Sequence, residues 1–182
     1  MAEMTTHEER LKSCLRRLQV DLPPAPKRGG VYAPVVQVGR MLYVSGMPPL
    51  LPSSSQAADG VSGAGFIKGV VGSELTVQEG KLAARQVGMA ILATLKAHLP
   101  GGSLNHVVRL VKSLGMVLAP PDFKQHPEVI NGYSELMAEV FGEEAGIGAR
   151  SAVGFGSLPH SIPVEIEAIF EVDYDDGGSA KL

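Results

Sequence analysis

The sequence feature that most constrains the fold is a long helical pattern in the middle of the chain. Thr76 and Glu79 have the spacing of a capping box, in which each side chain satisfies the backbone N–H of the other residue. Small and apolar residues then recur every three or four positions, namely Gly80, Ala84, Val87, Ile91 and Leu95. The run Pro-Gly-Gly at 100–102 ends the pattern. This predicts a long helix with one face packed against another layer.

Two further helices are predicted. Apolar residues recur at helical spacing before Gly142, namely Ile130, Tyr133, Met137 and Val140. They indicate a second long helix. Near the N-terminus, Thr6 and Glu9 form another capping box, which predicts a short helix that ends before Pro23.

Six segments have the composition of β-strands: residues 31–38, 41–46, 66–71, 106–118, 149–156 and 164–172. The most economical packing of these elements is an α+β fold, in which a sheet carries both long helices on one face. The other face of the sheet then needs cover. Because the chain has few aromatic residues and no further helix, a second subunit is the natural cover, and the sequence favours an oligomer.

The chain is expected to divide into three parts. Residues 1–28 form an N-terminal extension with the short helix, residues 29–174 form a single domain, and residues 175–182 form a flexible tail. Within the domain, residues 48–65 are rich in Pro, Ser, Ala and Gly, which predicts a long mobile loop.

Composition argues against several classes of partner. The net charge is −3 and no basic block occurs, so a nucleic-acid partner is not expected. No apolar run approaches the roughly 20 residues that span a bilayer, so no membrane association is expected. Cys14 is the single cysteine, which leaves no internal disulfide and favours the cytoplasm. The five histidines lack metal-ligand spacing, and no glycine-rich nucleotide motif or Gly-x-Ser-x-Gly motif occurs, so neither a metal nor a cofactor is expected.

The most informative run lies in the C-terminal third. Arg150 opens a strand of small and apolar residues, and Glu165 and Glu167 alternate on the next strand. Side chains two apart on a strand point to the same face, so the two carboxylates lie together, away from Ile166. One interpretation is a surface arginine with exposed strand acids. The other is that the acids lie beside Arg150 and bind a small polar molecule.

The sequence resembles the Rid/YjgF family, whose members are also described as endoribonuclease L-PSP or translation-inhibitor proteins. The resemblance rests on three stretches: Arg-Ser-Ala-Val at 150–153, Leu-Pro at 158–159 and Val-Glu-Ile-Glu-Ala-Ile at 164–169. Upstream, residues 39–48 resemble the family segment that contains Ser-Gly-Gln-x-Pro, and Asn131 matches an asparagine of the second helix. The longer loops are typical of a divergent subgroup.

The resemblance implies a chorismate-mutase-like α+β fold with a mixed sheet, and a homotrimer whose sheets form a central barrel with clefts between subunits. Arg150 then binds a carboxylate, because its planar fork pairs with both oxygens. The resemblance also implies that Glu165 positions a water molecule. The remaining predicted cleft residues are Tyr32, Ser45, Gly46, Asn131 and Ala152, of which Ala152 contributes backbone only. One departure is Met47, which stands where the family usually has Gln.

The implied function is hydrolytic deamination of small 2-imino acids or enamines to 2-oxo acids and ammonia, without a cofactor. Glu165 would act as the general base toward a water aimed at the C=N carbon. Met47 motivates a first alternative, a regulatory module that binds carboxylate metabolites without catalysis. A second alternative is the endoribonuclease or translation-inhibitor activity associated with the family, which the acidic net charge opposes.

Overall fold

Residues 5–51 and 65–174 form one five-stranded sheet with two long helices packed on the same face. The computed structural model describes residues 5–51 and 65–174. Most of the loop predicted at 48–65 and the whole tail predicted at 175–182 lie outside these residues. The helices are α1 (His7–Leu18), α2 (Val77–His98), α3 (His126–Phe141) and the single turn α4 (Glu143–Gly146), and the strands are β1 (Val35–Val38), β2 (Met41–Met47), β3 (Val107–Leu118), β4 (Ala149–Phe155) and β5 (Val164–Val172).

The strands follow the order β1-β2-β5-β3-β4. Strands β3 and β4 are parallel and are connected through α3, whereas every other neighbouring pair is antiparallel. The sheet is therefore mixed, as predicted, and the α+β class with both long helices on one face is confirmed. Strand β4, which carries Arg150, is one edge of the sheet.

Both predicted capping boxes are present. In α1 the Thr6 hydroxyl accepts from the Glu9 N–H at 3.2 Å, and the Glu9 carboxylate accepts from the Thr6 N–H at 2.8 Å. Thr76 and Glu79 make the same pair of contacts at the start of α2. Each box satisfies two backbone donors that a helix end leaves unpaired, which contributes about 1 kcal/mol. Within the described residues, no helix is long and apolar enough to cross a membrane.

Close packing of α2 on α3 depends on a glycine. A Cβ at Gly132 of α3 would overlap the carbonyl oxygen of Lys81 on α2. The two helices can therefore approach each other at this point only because Gly132 has no side chain. Their shared core contains Ile130, Tyr133 and Leu136, all of which are fully buried.

The prediction of a strand at residues 66–71 is wrong. Phe66 makes an isolated bridge to Leu50 and Val71 makes one to Leu75, but no continuous strand forms. Gly69 has a φ of +128°, which interrupts extended backbone. The Gly69 N–H bonds to the Ser161 carbonyl at 3.0 Å, and the Val70 N–H bonds to the Glu74 carboxylate at 2.9 Å. The Ile67 N–H bonds to the Pro49 carbonyl at 3.1 Å, and the Val71 N–H bonds to the Leu118 carbonyl at the end of β3 at 2.9 Å. The segment therefore satisfies its backbone donors by single bonds to separate partners rather than by a continuous ladder with one strand.

The sheet face opposite the helices is uncovered in a single chain. On the helix side Val35, Leu42 and Val44 are at most 7 % exposed. Their alternate neighbours Val36 and Tyr43 are 43 % and 45 % exposed. We call this second surface the open face; it also carries Val38 and the Glu165 and Glu167 side chains. An apolar surface of this kind indicates a contact site.

Candidate functional site

A groove of about 880 Å³ surrounds Glu165. Its walls are the chain segment 24–34 that precedes β1, the end of β2, and the turn at Pro159–Ser161 before β5. We call it the Glu165 groove. Four of the predicted site residues line it together: Tyr32, Ser45, Gly46 and Glu165. The structure therefore brings together residues that are up to 133 positions apart in the sequence.

A β-bulge shapes the floor of the groove. Val44 pairs with Ala168 and Met47 pairs with Ile166, so two residues of β2 lie opposite one residue of β5. The extra residue breaks the alternation of side chains, which allows Met47 to return to the core. There its sulfur accepts from the Thr94 hydroxyl at 3.8 Å. The residue that departs from the family pattern is thus 3 % exposed and belongs mainly to the packing of α2 on the sheet.

Gly46 lies directly against the Glu165 carboxyl group. A Cβ built at Gly46 would overlap Oε1 of Glu165 and would lie 2.9 Å from its Cδ. Because Gly46 has no positive φ, a left-handed backbone does not explain the glycine. Any larger residue would displace the carboxyl group, so the glycine provides the space that Glu165 occupies.

Hydrogen bonds hold the chain segment that borders Glu165. The Ser45 hydroxyl donates to the Ala33 carbonyl at 2.7 Å, and the Ser45 N–H bonds to the Pro34 carbonyl at 3.0 Å. The Tyr32 hydroxyl accepts from the Gly29 N–H at 3.2 Å. Ser45 therefore joins β2 to the segment that carries Tyr32.

The Glu165 carboxyl group is half-buried and makes no hydrogen bond to a described residue. Burial raises the pKa of this carboxyl group from its ordinary value, and the negative charge of Glu167 raises the pKa further. A carboxylate with a raised pKa and free oxygens is a stronger base than an exposed carboxylate, and it has room to accept a proton from a bound water. This arrangement is typical of a general acid or base.

Arg150 does not line the Glu165 groove. Its Nη1 donates to Oδ1 of Asn131 at 2.8 Å and to the hydroxyl of Ser134 at 2.9 Å, and both partners are on α3. The predicted site residues Arg150 and Asn131 are thus brought together. Sequence reasoning missed Ser134, although its position three residues after Asn131 puts it on the same side of the helix.

Within one chain, Arg150 and Glu165 do not form a single site. Arg150 pairs with Ser113 of β3, which in turn pairs with Ala168 of β5. Ser113 and Ala168 are buried on the helix side, so Arg150 points toward the helices. Glu165 and Glu167 point to the open face. The arrangement with both acids beside Arg150 is therefore not found in a single subunit.

The remaining predicted residue, Ala152, lies two positions after Arg150 on β4. It pairs with Gly115 of β3 and is partly buried. Its side chain is on the same side as Arg150. Among residues 5–51 and 65–174, no group of three or more His, Cys, Asp or Glu side chains is placed to hold a metal ion.

Comparison with known proteins gives three informative relatives, although no model of a protein family matches this chain. Protein TCP17 of Trypanosoma cruzi is 37 % identical over 90 % of this chain and 95 % of its own length. A RutC family protein of Pyrococcus horikoshii is 30 % identical over 80 % of this chain and 90 % of its own. The 2-iminobutanoate/2-iminopropanoate deaminase of Mus musculus is 30 % identical over 87 % and 93 %.

Solved structures show the same fold. A protein of unknown function from Agrobacterium tumefaciens superposes with a TM-score of 0.77 at 36 % identity, covering 92 % of this chain and 96 % of that one. RidA from an Antarctic Psychrobacter superposes with a TM-score of 0.52 at 27 % identity, covering 84 % and 98 %. The structural similarity therefore extends over most of the chain in both cases.

Proposed function

Because this chain belongs to the Rid/YjgF family, whose members are also named RutC and RidA proteins, we propose that it hydrolyses small 2-imino acids to 2-oxo acids and ammonia. The observation that carries the proposal is the Glu165 carboxyl group. It is half-buried in a groove, has a raised pKa and is free of hydrogen bonds to the described residues. These are the properties of a group that activates water.

The proposed chemistry needs one carboxylate and one water. The substrate enters as the protonated imine, C=NH₂⁺. Glu165 takes a proton from the water as the water oxygen bonds to the carbon, and the C=N electron pair moves to the nitrogen. The resulting tetrahedral intermediate carries OH and NH₂ groups. Glu165 then gives its proton to the nitrogen, the C–N bond breaks, and ammonia leaves. The OH group returns a proton to Glu165 as the C=O group forms, and ammonia takes up that proton as ammonium. Water is consumed and no oxidant or reductant is needed.

In the proposed site, Arg150 holds the substrate carboxylate. Because Arg150 and Glu165 of one chain lie on opposite sides of the sheet, the two groups act together only if they come from different subunits. Arg150 is on the edge strand β4, where a neighbouring subunit can reach it. The proposal therefore includes a cleft between subunits.

A homotrimer is the assembly that we propose. The open face presents Val36, Val38 and Tyr43, which are 43–62 % exposed. Covering these side chains with the same face of other subunits removes apolar surface from water. The assembly would thus bury the open face and complete the cleft in one step.

The alternative of a binding module without catalysis rests on Met47. Its thioether stands where the family usually has a hydrogen-bonding amide, and it packs against Thr94 in the core. Such a module would keep the Arg150 contact to a carboxylate. The two alternatives differ in the role of Glu165, which transfers a proton only in the enzyme.

The experiment measures ammonia release from 2-iminopropanoate that is generated in the assay. Wild-type protein is expected to accelerate release over the spontaneous rate, and Glu165→Gln to lose most of this acceleration. Glu135→Gln is a matched control, because Glu135 is an exposed acid of α3 that pairs with Lys81 at 2.7 Å. No acceleration by wild type, combined with retained 2-oxo acid binding, would support the binding module. Cleavage of single-stranded RNA under the same conditions would support the endoribonuclease alternative instead.

A further inference from the structure

The guanidinium group of Arg150 has two unlike edges. Its Nη1 atom carries two hydrogens, and these are used by Asn131 Oδ1 at 2.8 Å and Ser134 Oγ at 2.9 Å. No described residue accepts a hydrogen bond from its Nε or Nη2 atom. The Nε–Nη2 edge therefore retains two parallel donors, which is the geometry that pairs with both oxygens of a carboxylate.

The two acceptors belong to a rigid part of the protein. Asn131 and Ser134 are one turn apart on α3, and Ile130 and Tyr133 of the same turns are fully buried. Gly132 brings this part of α3 into close contact with α2. Because α3 cannot move without disturbing the core, its two acceptors fix the direction of the guanidinium plane.

The orientation of the Asn131 amide has support from its own neighbour. Its Nδ2 donates to the Glu128 carboxylate at 3.4 Å, so its Oδ1 is directed toward Arg150. The Glu128 carboxylate also lies 3.6 Å from the Lys81 ammonium group. Asn131 is thus set by contacts within α3 and with α2, and Ser134 supplies the second, independent acceptor.

We propose that Ser134 is a positioning residue: with Asn131 it holds Nη1 of Arg150 against α3, so that a substrate carboxylate can bind only through the Nε–Nη2 edge. This inference rests on the proposed role of Arg150 in the function above. It identifies the site as selective for a planar carboxylate over a carboxamide, because a carboxamide offers one acceptor oxygen to two parallel donors.

The test compares three variants with wild type. Ser134→Ala removes the acceptor, Ser134→Thr restores a hydroxyl, and Glu135→Gln changes the next residue of α3, which faces Lys81. Calorimetry with pyruvate measures carboxylate affinity. We expect Ser134→Ala to weaken binding about three- to tenfold, since one hydrogen bond to a charged group is lost and the guanidinium is free to turn. Ser134→Thr and Glu135→Gln should bind within about twofold of wild type.

Steady-state kinetics give a second measurement. Because the carboxylate contact persists through the reaction, Ser134→Ala should raise KM for 2-iminopropanoate with little change in kcat. If Ser134→Ala has the same pyruvate affinity and the same KM as wild type, the proposal is overturned. Loss of kcat alone, with unchanged affinity, would also overturn it.

A third measurement does not depend on the proposed function. The ¹⁵N resonances of the Arg150 guanidinium report its rotation and can be assigned by comparison with Arg150→Lys. We expect separate Nη1 and Nη2 signals in wild type and averaged signals in Ser134→Ala at the same temperature. If wild type binds no pyruvate and hydrolyses no imine, the proposed function fails, and this spectrum alone decides the positioning role. Equal averaging in both proteins would refute that role.

Discussion

The substitution Gly46→Ala tests whether the position of the Glu165 carboxyl group matters for function. The added Cβ would overlap Oε1 of Glu165 and lie 2.9 Å from Cδ and 3.2 Å from Cγ. Ordinary contact begins at about 3.4–4 Å, so the carboxyl group has to move by roughly 1 Å or more. A displacement of about 1 Å in a catalytic group can lower the rate about 100-fold.

The backbone should tolerate the substitution, because Gly46 does not have a positive φ. We therefore expect Gly46→Ala to keep its thermal unfolding temperature within a few degrees and to lose about 100-fold in kcat. Gly156→Ala is a matched control. It also lacks a positive φ, and its added Cβ would meet no atom within 4 Å.

A double-mutant comparison makes the test specific. In a Glu165→Gln background the base is already absent, so adding Gly46→Ala should lower the remaining rate of imine hydrolysis by less than about threefold. Wild-type turnover by Gly46→Ala would refute the reasoning. Equal losses from Gly46→Ala in both backgrounds would also refute it, because the glycine would then act independently of Glu165.

Four further outcomes are expected. Glu165→Gln should lower kcat by roughly 10² to 10⁴ with pyruvate binding retained, and unchanged turnover in the ammonia assay would remove Glu165 from the mechanism. Arg150→Lys should weaken pyruvate binding at least tenfold in calorimetry, since lysine keeps the charge but lacks the planar fork, and equal affinity would exclude Arg150. Burial raises the pKa of Glu165 in the folded protein, so ionisation of this carboxyl group should destabilise the fold. The free energy of unfolding of wild type, measured relative to Glu165→Gln, should therefore fall as pH rises through the folded pKa. A difference between the two proteins that does not change with pH would contradict this. Light scattering at micromolar concentration should give the mass of a trimer, and a monomer mass would contradict a cleft between subunits.

Local patterns in the sequence were sufficient to predict the helices and most strands. The capping boxes at Thr6 and Thr76 formed as predicted, because a cap involves residues only three positions apart. The segment 66–71 was predicted wrongly for the same kind of reason. Its composition is that of a strand, but Gly69 adopts a positive φ, and its backbone hydrogen-bond partners include Ser161 and Leu118, which are distant in the sequence.

The sequence by itself was sufficient to predict the family, the α+β class and the candidate functional residues, because motifs and periodicity depend on neighbouring positions. Only the tertiary structure decided how those residues are grouped. Arg150 and Glu165 belong to one sequence motif, yet strand pairing places them on opposite sides of the sheet. The bulge that brings Gly46 against Glu165 and the contact of Ser134 with Arg150 also depend on pairings between distant segments. Such pairings follow from the packing of the whole core, which no local pattern encodes.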